Sequence, residues 1–409
     1  MINDFFCPLP FNHLFFKPNG TVQACCEAFS VQLEPKKTLL ATANLPEFKQ
    51  LRLELLDPDV KPKMCERCIV RETKQPNSVR TTAINKHSHL TEVEAKKMIQ
   101  ADGTITAKNF KLQDLDIRWS NLCNYQCRFC GLQSSSKWLK DHRVLFGEMD
   151  NKLTSGIYND KTGIAEADVP WEQLKKQLPN IRHLKLAGGE PTIMPGTYQL
   201  LEEMIRIGNT GITISLITNA SMLKYGKKDL LELLSKFTSK TGRNIRIQLS
   251  LEGMELAHEW QRSGVSDWDK IAYNLEQFWI YANQYNWKLN FHSGISWINM
   301  YHLADFVRAY PHFGFVFNIV TGPDEMSMIN FYKDELIKCS EYYEDIIENT
   351  NRAHTKLYLS EIKNCIDQCI TTTTESINFD KFNRYNRTLD KSRGQSFLSA
   401  FPEWSHLYA

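Results

Sequence analysis

The 409-residue sequence contains no apolar run approaching the roughly 20 residues that span a bilayer as a helix. Its start, Met1-Ile2-Asn3-Asp4, has neither the basic nor the apolar region of a secretory signal, so a cytoplasmic location is expected. Charge of one sign is also missing. Net charge is only +2, which argues against nucleic acid or an anionic membrane as a partner. No internal repeat and no low-complexity tract interrupts the chain. What remains is an ordinary globular composition, 42% hydrophobic and 23% charged. At roughly 100–200 residues per domain, two or three domains are expected.

Cysteine is where the sequence departs from the ordinary. There are eleven, and eight fall in the first 130 residues, in closely spaced groups. A reducing cytosol does not favour a disulfide framework, and the odd count argues against complete pairing. Such grouping favours metal or cluster ligation.

Residues 1–105 show little long periodicity. Phe11, Leu14, Phe15 and Phe16 are interspersed with turn residues, and Pro18-Asn19-Gly20 reads as a turn between two short strands. Residues 46–56 read as a helix with Leu51, Leu55 and Leu56 on neighbouring turns. A module so poor in regular core needs a staple, which clustered cysteines could supply. Residues 75–110 read as a connector with one helix near 91–99.

From residue 111 strands and helices alternate. Strands are expected at 112–119, 181–187, 212–217, 245–250, 288–293 and 314–320. Helices are expected near 134–145, 197–207, 227–237, 269–285 and 301–310. Such alternation implies a parallel sheet. Six units fit a partial (β/α)6 TIM-like barrel better than a closed eight-fold one. Residues 146–170, rich in Asp, Asn, Gly and Thr, read as an inserted loop. Residues 328–371 read as helical throughout, and the polar tail beyond them gives no clear pattern. The expected domains are therefore 1–105, 106–327 and a helical 328–409.

The strongest chemical signal is Cys123-Asn124-Tyr125-Gln126-Cys127-Arg128-Phe129-Cys130, a C-x3-C-x2-C run just after a predicted strand. Three thiolates on one loop can hold three irons of a [4Fe–4S] cluster and leave the fourth open, whereas most such clusters use four cysteines. An open position marks a reactive metal site. The carboxyl end of a parallel strand is the usual place for one. Spacing alone also admits structural zinc with a distant fourth ligand.

This run resembles the signature of the radical S-adenosylmethionine (SAM) superfamily. The resemblance implies that the open iron chelates the amino and carboxylate groups of SAM. Electron transfer then gives methionine and a 5′-deoxyadenosyl radical, which takes hydrogen from a substrate. Phe129 stands where that family places an aromatic residue beside the adenine. Gly188-Gly189-Glu190-Pro191, one β/α unit on, resembles its GGEP motif, whose backbone receives the SAM amino group with Glu190 in support. Thr218-Asn219-Ala220 resembles TNG with alanine for the final glycine. Ser250-Leu251-Glu252-Gly253 resembles S-x-D-G with glutamate for aspartate. His258 and Arg262 resemble an H-x3-R pattern, with Arg262 able to reach a carboxylate. These motifs in register argue against the zinc reading.

Cys7, Gly20 and Cys25, followed by the pair Cys65 and Cys68, resemble the twitch module, the shorter relative of the SPASM domain, although here it precedes the barrel. The resemblance implies one auxiliary iron–sulfur cluster held by Cys7, Cys25, Cys65 and Cys68. Cys26 adjoins Cys25 and is the alternative ligand. A four-cysteine zinc knuckle is the competing reading. Cys339, Cys365 and Cys369 read as small buried hydrophobes.

The expected function is thus a SAM-cleaving radical enzyme served by a flavodoxin- or ferredoxin-like electron donor. The family includes enzymes of peptide and protein side chains, the preferred substrate class here, for oxidation, crosslinking or epimerisation. Alternatives are a small-molecule dehydrogenase or epimerase acting on a sugar or nucleoside, and a non-catalytic zinc protein that binds a partner. No residue is singled out as the catalytic acid or base.

Overall fold

A computed structural model describes residues 4–28, 33–73, 77–147, 159, 161–264 and 267–408. Residues 148–158 and 160 of the insertion expected at 146–170 lie outside the described residues. The fold carries one eight-stranded sheet: β1 His13–Phe16, β2 Val22–Gln23, β3 Asp114–Ile117, β4 His183–Leu186, β5 Thr213–Thr218, β6 Ile245–Ser250, β7 Lys288–Ile295 and β8 Gly314–Ile319. The strands β3 to β8 fall within or beside the six expected ranges and alternate with helices, the plan of a partial (β/α)6 barrel. The chain forms two compact units, residues 1–121, 165–216 and 225–245 in the first, and 122–164, 217–224 and 246–409 in the second.

In the first unit, β1 and β2 form the expected hairpin across Pro18-Asn19-Gly20. Gly20 takes a positive φ of 72°, and the Asn19 carboxamide oxygen accepts from the Thr21 amide and hydroxyl. β1 also pairs in parallel with β3, His13 opposite Asp114, so the N-terminal segment lends strands to the sheet. β3 pairs with β4, and β4 with β5, in parallel. The strands' period of two places Leu115, Ile117, Leu184, Leu186, Ile214 and Leu216 on one face, all buried. Asp116, Lys185 and Ser215 share a register on the other face.

The expected Pro46–Leu56 helix is present with Leu51 and Leu55 buried. Its Arg52 is also fully buried. Nε donates to the Gly103 carbonyl, and a terminal nitrogen donates to the carbonyls of Pro10 and Ala43. An arginine satisfying distant carbonyls thus supplies part of the staple expected from cysteine alone. The connector holds the helix expected near 91–99, at Glu92–Met98, and a second at Val79–Lys86, started by a Ser78–Thr81 capping box.

In the second unit β6, β7 and β8 pair in parallel. The span 328–371 is not one continuous helix. It divides into Lys333–Glu348 and Ala353–Thr372, separated by Asn349-Thr350-Asn351-Arg352. The tail without a clear pattern forms a helix at Phe379–Arg393. Aromatic packing explains why. The Trp297 ring stacks on Phe331 at 4.6 Å and meets Phe382 and Trp404 at 4.9 and 5.3 Å. Burial of several such rings is worth more than the polar residues between them cost. Cys339 and Cys369 are buried here, as expected of small hydrophobes, and Cys365 is half-buried.

Candidate active site

The cysteine loop lies in the second unit. Cys123 and Cys127 are buried and Cys130 is half-buried. The Tyr125 amide lies 3.4 Å from the Cys123 sulfur, and the Cys130 amide donates to the Cys127 carbonyl at 2.9 Å, folding the C-x2-C turn. A hydrogen bond with Cys130, and then the Arg262 guanidinium, hold the Cys127 thiol below its ordinary range against the effect of burial. Cys130 is pushed up by the same hydrogen bond and by burial.

Two residues expected to touch SAM touch each other instead. Arg262 and Glu252 form a buried two-pronged ion pair, one prong 2.6 Å long. The third guanidinium corner of Arg262 lies 3.6 Å from the Cys127 sulfur, and its carbon lies 5.2 Å from the Phe129 ring centre. Burial lowers the Arg262 pKa, but Glu252 and Cys127 outweigh it and raise it above the ordinary range. Arg262 does reach a carboxylate, that of Glu252. His258, one turn before Arg262, is buried with neither ring nitrogen hydrogen-bonded, and burial followed by Arg262 lowers its pKa to about 3.

Asn219 donates to the Asn124 side chain at 3.0 Å, and Asn124 donates to Ser221 at 2.7 Å, tying the TNG-like turn to the loop between Cys123 and Cys127. Ala220 takes a φ of 61°, where an L side chain is strained. The family's glycine at this place has that physical reason. Ser250 ends β6, half-buried.

Gly188-Gly189-Glu190-Pro191 lies in the first unit. Both glycines have positive φ, 80° and 49°. A Cβ on Gly188 would come within 2.5 Å of Cβ of Arg118, so this glycine makes room for a neighbouring side chain. Glu190 is buried and accepts from the Thr192 amide at 3.1 Å, capping the turn that Pro191 begins.

The N-terminal cysteines also lie in the first unit. Burial raises the pKa values of Cys7 and Cys25 far above the usual thiol range and that of Cys65 to about 12. Cys7 is further raised by Cys65 and Cys68, and Cys25 by Cys7, Cys26 and then Cys65, so these thiols lie close enough to repel as thiolates. Cys26 answers mainly to burial and then to Lys185 and Asp116. Those two form an ion pair at 3.1 Å, with Arg118 Nε 3.8 Å from Asp116. Lys17 adds a third cation and has no ion-paired carboxylate among the described residues.

No three His, Cys, Asp or Glu side chains among the described residues stand as preformed ligands of a single ion. A four-iron cube spreads its thiolates over its corners and does not require that. The donor chemistry of the loop fits a cluster: three thiols on one short turn, an amide hydrogen at one sulfur and a guanidinium at another.

Residues 117–278 match the domain model of the Radical SAM superfamily. A [4Fe–4S] cluster and SAM are the cofactors of that domain. A curated relative, a probable GTP 3′,8-cyclase of Sulfurisphaera tokodaii, is 24% identical over 241 residues, 59% of this chain and 63% of the relative. Among solved structures, native anSMEcpe with bound AdoMet and Cp18Cys peptide is 18% identical over 56% of this chain and 58% of that one, at a TM-score of 0.35. Streptococcus suis SuiB bound to precursor peptide SuiA is 20% identical over 67% and 53%, at 0.34. Among the described residues no helix is long and apolar enough to cross a membrane.

Proposed function

We propose that this chain reductively cleaves SAM at the Cys123–Cys127–Cys130 loop and uses the product to take hydrogen from a substrate. When bound, the cluster supplies the electron and SAM supplies the 5′-deoxyadenosyl group. The chain's own residues hold and shield that site. The observation that carries the reading is the buried cysteine loop with the Glu252–Arg262 pair set against the Cys127 sulfur. Arg262 offers the sulfur a positive charge without a free carboxylate competing for the metal. The turn of Gly188, Gly189, Glu190 and Pro191 is assigned to the SAM amino group by its resemblance to GGEP, and Phe129, Asn219 and Ser250 are the further SAM contacts.

Cys7, Cys25, Cys65 and Cys68 hold an auxiliary iron–sulfur cluster within a 1–105 module. Their mutual repulsion supports this set, and the Lys185–Asp116 surroundings of Cys26 support Cys25 over Cys26. A closed four-cysteine cluster suits electron transfer from a substrate radical, in keeping with oxidation, crosslinking or epimerisation of a peptide or protein side chain. That substrate class rests on the family resemblance. A flavodoxin- or ferredoxin-like protein serves as electron donor, in the cytoplasm.

A second reading has its own support: an anionic small molecule. Among the described residues, Arg118 and Lys185 pair with Asp116 while Lys17 faces Arg118 with no ion-paired carboxylate, near the carboxyl ends of β1, β3 and β4, where α/β proteins bind ligands.

The deciding measurement is 5′-deoxyadenosine release by anaerobically reconstituted protein with a strong reductant. Release above a Cys123→Ala/Cys127→Ala/Cys130→Ala control is expected. A cluster-loaded protein that releases none with any peptide or nucleotide offered would overturn the reading.

A further inference from the structure

Arg128, between the second and third loop cysteines, is the least expected residue of the site. It is fully buried. Nε donates to the Trp260 carbonyl at 2.9 Å, one terminal nitrogen to Asn386 at 2.9 Å, and the other to Asp390 and to Gln395 at 3.0 Å. The guanidinium also lies 3.7 Å from the Trp260 ring centre. Burial lowers its pKa to about 9 while Asp390 opposes that. A buried charge is retained only when paired and fully hydrogen-bonded, and here the partners come from about 260 positions later in the chain.

The rest of the loop is gripped by the same segment. The Tyr385 hydroxyl lies 3.3 Å from the Arg128 carbonyl, and Trp138 donates to the Cys127 carbonyl at 2.9 Å. Arg393 pairs with buried Asp141 at 2.9 Å and lies 5.4 Å from the Trp138 ring. Asp390 also accepts from the Trp260 indole at 2.8 Å and the Phe397 amide at 2.9 Å. The amides of Gln126 and Arg128 donate to the carbonyls of Ser263 and Gln261, the residues either side of Arg262.

We propose that Arg128 is a positioning residue: with Asp390 it locks the Cys127–Cys130 turn to the C-terminal helix, making residues 379–397 part of the radical SAM site. These residues lie outside the span matched by the family model. The inference rests on the function proposed above. Arg128 touches no reacting atom. It acts by fixing where two cluster thiols and, through the Gln261–Ser263 segment, Arg262 stand.

The test compares Arg128→Met, Arg128→Lys and Asp390→Asn with the wild type. The readouts are the electron paramagnetic resonance spectrum of the reduced protein with and without SAM, 5′-deoxyadenosine release, and hydrogen exchange of residues 379–393 in iron-free protein. Arg128→Met should alter the SAM-dependent spectrum, lower release by at least about tenfold, as displaced catalytic geometry does, and expose the helix to exchange. Arg128→Lys should fall between. Should Arg128→Met fail to fold, Asp390→Asn decides by the same readouts. A SAM-responsive wild type with an unchanged spectrum and release in the deciding variant overturns the inference alone. A wild type whose spectrum ignores SAM overturns the functional reading and this inference with it.

Discussion

The two cysteine groups differ in what opposes burial. In the N-terminal set, burial and mutual repulsion push Cys7, Cys25 and Cys65 upward, and Arg80 pulls Cys7 and Cys65 the other way. In the C-x3-C-x2-C loop, the hydrogen bond with Cys130 and then the Arg262 guanidinium hold the Cys127 thiol down, while Cys130 is pushed up. Both proposed clusters need their cysteines as thiolates. The first set has little beyond an incoming metal to pay for its ionisation. The second has a fixed charge in place. That contrast suits a closed cluster in one region and, in the other, a cluster whose open iron meets a ligand.

The largest expected effect breaks the two regions apart. Cys127→Ala should abolish 5′-deoxyadenosine release while iron bound by the N-terminal set survives. Retained release would place SAM cleavage elsewhere.

Cys65→Ala is the mirror image. It should remove iron from the N-terminal module without emptying the loop, and Cys26→Ala should leave both contents unchanged. Metal analysis that finds zinc in the Cys7–Cys68 set would replace the auxiliary cluster with a structural knuckle.

Glu252→Gln removes one partner of a buried pair. Stability of the metal-free protein in urea should fall by about 3–5 kcal/mol, because an uncompensated Arg262 is left behind. A change below about 1 kcal/mol would mean that the pair is solvated.

Acid should unsettle the loop region through His258. Its folded pKa, about 3, lies below the ordinary 6.5. The unfolded chain therefore takes up a proton first as pH falls, and stability is lost between about 6.5 and 3. His258→Phe should flatten this part of the pH–stability curve. An unchanged slope would assign it to other groups.

The smallest effect is local. Ala220→Gly relieves a left-handed alanine and should stabilise the protein by up to about 1 kcal/mol in thermal unfolding. A destabilised variant would show that the alanine's packing outweighs its strain.

Much of this was legible in sequence where the signal is local. The Leu51 and Leu55 spacing gave the Pro46–Leu56 helix, and Pro18-Asn19-Gly20 gave the hairpin turn. The alternation of apolar strands and helices gave the sheet. The Glu252–Arg262 pair was half legible. Each residue alone reads as a ligand contact, because nothing in their ten-residue separation says that they meet. The Phe379–Arg393 helix gave little signal because its buried residues, Phe382, Asn386 and Leu389, are few among many polar ones.

By itself, then, the sequence determined the chemistry on offer: three thiols on one turn, five more near the start, and a glycine turn after a strand. These depend on spacings of a few residues, which the local backbone fixes. Only the tertiary structure decided that β1 joins β3, that Arg262 belongs to Glu252, and that Arg128 reaches Asn386, Asp390 and Gln395. Those pairings depend on where distant segments pack, and a buried charge takes its partner from the segment that folding brings to it.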